Sequence, residues 1–143
     1  MAQGKPILLA DDDANQAFLA VRAFKEAGVG GVVTVDSGSA AVDYLAGSGA
    51  FADRAAHPLP ALVLLDQTLP GRSGLDVLQW LRAQASICTI PVLMLTSSTS
   101  SSDARAAYLV GANGYLVKPA TFEEMAALAR AIRDYWLVAN RAA

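Results

Sequence analysis

Four places in the sequence carry side chains suited to chemistry, and each follows a short apolar run. Asp11, Asp12 and Asp13 follow Ile7–Ala10, and Asp66 follows Ala61–Leu65. Thr96 follows Pro91–Leu95, and Lys118-Pro119 follows Gly114–Val117. Carboxylates brought together repel one another, so ionising all of them is costly unless a cation sits among them. A hard divalent ion with oxygen ligands relieves that cost. Mg²⁺ suits the inventory, because it typically takes one or two carboxylates, waters and a phosphate oxygen. A carboxylate held beside Mg²⁺ can attack phosphorus and form an acyl phosphate. Charge then grows on the phosphoryl oxygens, where the metal, the Lys118 ammonium and the Thr96 hydroxyl can stabilise it.

Those residues can act together only if the chain brings the four places to one spot. Five apolar runs have strand length: Ile7–Ala10, Val32–Val35, Ala61–Leu65, Pro91–Leu95 and Gly114–Val117. The first, third and fourth are almost continuously apolar, as are strands buried on both faces of a parallel sheet. Helical spacing fills the intervals. Phe18, Val21, Arg22 and Lys25 follow the first run, with Asp13 as the N-cap. Val42 and Leu45 follow the second, Leu75, Leu78 and Leu81 the third, and Ala104, Ala107 and Tyr108 the fourth. A last helix, from about Thr121 to Ala139, should turn Met125, Leu128, Ile132 and Trp136 to the core. The pattern is βα repeated five times, which predicts an α/β doubly wound parallel sheet with helices on both faces. In such sheets the working site lies outside the carboxyl ends of the strands, where the four places stand. No internal repeat or second domain is visible. Gly47–Pro60 reads as an extended loop.

The segments ILLADDD (Ile7–Asp13), LVLLDQTLPGRSGLDVL (Leu62–Leu78), PVLMLTSS (Pro91–Ser98) and GANGYLVKP (Gly111–Pro119) together resemble the response-regulator receiver family. The resemblance covers nearly the whole chain. It implies a CheY-like, flavodoxin-like (βα)5 fold with strand order 2-1-3-4-5 and a single receiver domain over residues 1–143, its core spanning about 5–139. It further implies that Asp66 is the phosphorylated aspartate and that Asp12 binds Mg²⁺ directly, with Asp11 close by. The main-chain carbonyl of Thr68 is a further implied ligand. Thr96 resembles the switch hydroxyl, Lys118 the family's lysine, and Tyr115 the aromatic switch, whose ring moves inward after phosphorylation. Thr68 and Ser98 stand where the family tunes hydrolysis, and the family's Lys118–Pro119 bond is cis. The loop Gly47–Pro60, the run Ser97–Ser102 and the tail AIRDYWLVANR resemble a subgroup of stand-alone regulators paired with phytochrome-type sensor histidine kinases.

The resemblance implies a two-component phosphorelay switch, with a histidine kinase or phosphotransfer protein as the phosphodonor. It implies a signalling domain that catalyses only its own phosphorylation and dephosphorylation. The chain ends soon after its fifth helix, so output is expected through a downstream protein and not through an attached output domain. The competing enzyme reading is a haloacid-dehalogenase-like phosphatase, which also uses a strand-end aspartate with Mg²⁺. It fits less well, because its usual second acid is replaced by Thr68 and no cap domain is present. Net charge is −2, which gives no footprint for nucleic acid. No apolar run is long enough to span a bilayer, and the N-terminus lacks the apolar core of a signal peptide. The single cysteine, Cys88, excludes an internal disulfide and fits a reducing cytoplasm. His57 reads as a surface loop residue. Tyr135, Leu137 and Val138 make the last helix apolar nearly all round, which favours a homodimer or partner contact.

Overall fold

The computed structural model describes residues 5–97 and 100–140. Five parallel strands, β1 (Ile7–Ala10), β2 (Val32–Val35), β3 (Leu62–Asp66), β4 (Val92–Thr96) and β5 (Gly114–Val117), form one sheet. Their order is β2-β1-β3-β4-β5, as expected. The helices are α1 (Ala14–Glu26), α2 (Gly38–Ala46), α3 (Gly74–Arg82), α4 (Ser101–Val110) and α5 (Phe122–Ile132). A wider π-helical stretch, Arg133–Ala139, continues α5.

Every residue of β1, β3 and β4 is buried. Side chains alternate across the sheet, so each strand feeds two cores. Leu8, Ala10, Val63, Leu65, Val92 and Met94 pack against α2, α3 and α4. Ile7, Leu9, Leu62, Leu64, Leu93 and Leu95 pack against α1 and α5. β3 and β4 each begin and end one residue later than their apolar runs suggest. Asp66 and Thr96 are therefore the last residues of their strands.

The first helix buries a different stripe from the one its large residues mark. Its core face is Ala17, Ala20, Ala23 and Phe24, while Phe18 is 67% exposed. Small residues let α1 and α5 approach closely, and α5 answers with Ala126 and Ala129 beside Met125 and Ile132. Leu128 and Trp136, expected in the core, are only half-buried against it. Arg22 lies over the Phe122 ring at 5.0 Å, and Arg133 Nη1 donates to Ala27 O at 2.7 Å. The tail therefore partly folds back, with Trp136 and Leu137 on the core and Tyr135 and Val138 exposed.

The loop before β3 is tied down. Arg54 donates through Nη1 to Tyr44 O and through Nη2 to Leu45 O, each at 2.7 Å, which satisfies carbonyls at the end of α2. His57 is half-buried, not a surface residue, and stands edge-on to Tyr44 and Phe51. Three rings shielding one another bury apolar area, and Leu59 of the same loop packs on the core beside them. No cis peptide bond occurs among the described residues, so Lys118–Pro119 is trans here, contrary to the family resemblance.

Candidate functional site

Register sets the site. Ala10 pairs with Leu65, so Asp11 and Asp66 continue their strands side by side. Asp66 pairs in turn with Leu95, and Thr96 with Val117, which brings the ends of β4 and β5 to the same edge. Asp11, Asp66 and Thr96 are the buried polar residues among those described. Lys118, just past β5, reaches across. Its Nζ stands 2.8 Å from Asp66 Oδ2 and 3.3 Å from Asp11 Oδ2.

The turn after β1 divides its three acids. Asp13 caps α1, its carboxylate accepting from the backbone N–H of Asn15 and Gln16 at 2.9 and 3.1 Å. Asp11 Oδ1 accepts from Asp13 N–H at 2.9 Å. Asp12 is exposed. Asp11, Asp12 and Asp66 each offer a carboxylate oxygen within 4.8 Å of the others. That donor set suits a hard divalent cation, because two members are already desolvated and share the Lys118 ammonium between them. Burial pushes the Asp11 carboxyl above its ordinary range, and the Asp66 charge adds to this. The Asp13 N–H and the Lys118 ammonium pull the other way. Burial alone would lower Lys118. The hydrogen bond to Asp66 and the charges of Asp11 and Asp66 outweigh it and hold the ammonium above its usual value.

Thr68 lies beside the cluster, and its N–H donates to Asp66 Oδ1 at 3.1 Å. Ser98 falls outside the described residues. Tyr115 is half-buried against the core under α4, and its hydroxyl donates to Gln67 Oε1 at 2.7 Å. Two participants escaped the sequence reading. Gln67 follows Asp66 directly but carries no signal of its own. Gly74 opens α3 and donates its N–H to Gln67 O at 2.9 Å. A Cβ at Gly74 would meet Asp66 O at 2.2 Å, so only glycine lets α3 start this close to the strand end. The Ser73–Asp76 capping box fixes the same helix start. On the other side, Asp11 and Asp12 open onto a groove of about 610 Å³ that Phe18, Val21 and Phe51 also line.

A buried strand-end carboxylate with a lysine at hydrogen-bond distance and two more acids alongside can take part in metal-assisted transfer of an anionic group. Known proteins resemble this chain in sequence and fold. A family model described as the response regulator receiver domain matches residues 7–130. FilR2 of Methanothrix harundinacea, a probable methanogenesis regulatory protein, is 39% identical over 136 residues, covering 94% of this chain and 85% of that protein. The phosphorylated cyanobacterial phytochrome response regulator RcpA matches with a TM-score of 0.88 and 29% identity over 96% of this chain and 97% of its own. The Mn²⁺-bound form of response regulator Rcp1 matches with a TM-score of 0.85 and 28% identity over 97% and 99%. Rcp1 is a protein of Synechocystis.

Proposed function

The chain belongs to the response regulator receiver family of two-component signalling, and from that membership we propose that Asp66 is its phosphoacceptor. The observation that carries this reading is the Lys118 ammonium, 2.8 Å from Asp66 and 3.3 Å from Asp11 at the buried edge of the sheet. A carboxylate so held is fixed in position at the strand end beside a positive charge. The donor is a phosphohistidine on a sensor histidine kinase or phosphotransfer protein. An Asp66 oxygen attacks phosphorus and the P–N bond breaks. The new O–P bond leaves an acyl phosphate, and the departing imidazole takes a proton from solvent. Lys118 then bonds a phosphoryl oxygen, and the Thr96 hydroxyl closes on another.

Asp11, Asp12, Asp66 and the Thr68 carbonyl are the proposed Mg²⁺ ligands. The bound ion would supply positive charge against the phosphoryl oxygens. The protein's own catalysis is confined to this transfer and to hydrolysis of the acyl phosphate, which returns the Asp66 carboxylate and releases inorganic phosphate. Thr96 and Tyr115 form the switch that passes the change to the surface around α4 and β5. A phytochrome-type kinase is the proposed partner, supported by the likeness to RcpA, a phytochrome response regulator. We read residues 1–143 as a single receiver domain whose output is contact with a downstream protein. A homodimer is supported by exposed Tyr135 and Val138 beside half-buried Trp136 and Leu137. A cytoplasmic location agrees with the one unpaired cysteine, Cys88. No helix among the described residues is long and apolar enough to cross a membrane.

Incubation with Mg²⁺ and acetyl phosphate, followed by intact-mass measurement, tests the central claim. The parent should gain one phosphoryl group, and Asp66→Asn should gain none. Equal labelling of the variant would move the acceptor elsewhere. No labelling of the parent, together with no binding of beryllofluoride, would remove it.

A further inference from the structure

The turn that follows the phosphoacceptor rests on the start of α2. Its base is fixed near Asp66: Gly74 N–H donates to Gln67 O at 2.9 Å, and Thr68 N–H donates to Asp66 Oδ1 at 3.1 Å. Leu69 is buried in the core beneath. The tip, Pro70, Gly71 and Arg72, is exposed. Gly71 turns the chain there with a φ of +78°, a conformation that favours glycine. Pro70 O accepts from Arg72 N–H at 3.0 Å and, across the fold, from Gly38 N–H at 3.4 Å.

Gly38 is the first residue of α2, and it is buried. Its φ is not positive, so its conformation does not call for glycine. The space around it does. A Cβ at Gly38 would run into Arg72 O, and would stand 2.7 Å from Arg72 Cβ and 2.8 Å from the Arg72 carbonyl carbon. Of the two partners the helix is the firmer. Ala41, Tyr44 and Leu45 are buried in the core, and Ser37 Oγ accepts from Ala40 N–H at 3.0 Å. Arg54 holds the carbonyls at the other end of the helix. A side chain at position 38 therefore displaces the exposed turn and not the helix. Pro70 O is bonded to both Gly38 and Arg72, so residues 70–72 move together. Thr68 lies two residues before them.

We propose that Gly38 is a positioning residue for the metal site: the bare backbone at the start of α2 seats the turn Pro70–Arg72 and so sets where the Thr68 carbonyl stands relative to Asp66. The inference rests on the Thr68 carbonyl being an Mg²⁺ ligand beside the phosphoacceptor. It adds a residue from a different element, one that acts on the site only through the turn it supports. Loss of a group that orients a metal ligand weakens metal affinity about tenfold or more. Loss of stability alone leaves the affinity of the folded protein as it was.

The test is an Mg²⁺ titration of the full chain followed by NMR, with the Thr68 carbonyl observed through the Leu69 N–H. Mg²⁺ should move this resonance in the parent. In Gly38→Ala the same movement should need about tenfold more Mg²⁺. Ile132→Ala, which opens the core on the other face of the sheet, should lose stability and still titrate as the parent does. The parent also reports the coupling in reverse, whether or not the variant folds, because coupling between two sites is reciprocal. Mg²⁺ should slow hydrogen exchange at the Gly38 N–H by a larger factor than at the Val29 N–H, which donates to Phe24 O at the far end of α1. A Gly38→Ala titration equal to the parent's overturns the seat. So does equal weakening in Ile132→Ala, or equal slowing at Gly38 and Val29. A Thr68 carbonyl that Mg²⁺ does not move in the parent overturns the ligand reading and the seat with it.

Discussion

Three carboxylates meeting one ammonium predict that removing an acid from the site stabilises the metal-free protein. Asp12 is the acid to remove. Lys118 engages Asp11 and Asp66, and Asp12 makes no ion pair with it. The carboxylate oxygens lie within 4.8 Å of one another, and at that outer limit two like unit charges repel by about 1 kcal/mol in a water-like dielectric and by about 3.5 kcal/mol at an effective dielectric of about 20. Asp12 is exposed, so the lower figure applies. Repulsion from Asp11 persists in the unfolded chain, where the two remain neighbours. Repulsion from Asp66, 54 positions away in the sequence, is created by folding. Asp12→Asn should therefore stabilise the protein in EDTA by about 1 kcal/mol, raising Tm by about 3 °C. The gain should shrink in about 1 M salt, where the Debye length is about 3 Å.

With Mg²⁺ the order should reverse. A ligand at about a hundred times its Kd stabilises the folded state by about 2.7 kcal/mol. The parent should gain that amount and overtake the variant, which has lost a proposed ligand. Thermal melts of both proteins, in EDTA and across an Mg²⁺ titration, give all four stabilities. Two results refute the reasoning: Asp12→Asn melting below the parent in EDTA, or keeping the parent's full gain from Mg²⁺.

Other substitutions probe the framework around this cluster. Lys118→Met strands two carboxylates whose side chains are only 6% and 9% exposed, and should cost about 3 kcal/mol in metal-free urea unfolding while tightening Mg²⁺ binding. A loss below about 1 kcal/mol would mean that Lys118 is not what offsets them. Gly74→Ala puts a Cβ 2.2 Å from Asp66 O and 2.9 Å from the Gln67 Cα, both backbone atoms that cannot swing aside. It should cost about 2 kcal/mol or more in the same assay, and a neutral result would show that α3 can start further from the strand end. Phe18→Ser should leave stability within about 0.5 kcal/mol, because that ring is 67% exposed. A larger loss would return it to the core.

The elements at the centre of the sheet were legible because burial on both faces leaves one kind of residue to choose from. β1, β3 and β4 are apolar without interruption, and their ends declare themselves by Asp11, Asp66 and Thr96. The cap of α1 was legible for a similar reason, since Asp13 accepts the N–H groups that a helix start leaves over. The helix faces were harder to read. On α1 the eye goes to Phe18 and Val21, but the buried stripe is Ala17, Ala20 and Ala23 with Phe24. Alanine contributes little hydrophobic signal, and its value there is that it lets α5 come close. His57 was misread because a loop histidine gives no warning of rings that arrive from elsewhere, here Tyr44 from α2 and Phe51 from the same loop.

The site divides along the same line. Asp11, Asp12, Asp66, Thr96 and Lys118 could be named in advance because each occupies a strand end, and the parallel register brings strand ends together whatever lies between them. Gln67 and Gly74 could not, because their roles exist only through contacts across the fold. Gln67 acquires its role from a tyrosine two strands away, and Gly74 from the absence of a Cβ against a carbonyl. The chemistry of this site thus sits in residue types that a reader of sequence can recognise. Its packing sits in residues whose types are ordinary, so a variant can keep every recognisable group and still lose the contacts that hold them, Gly74 first among them.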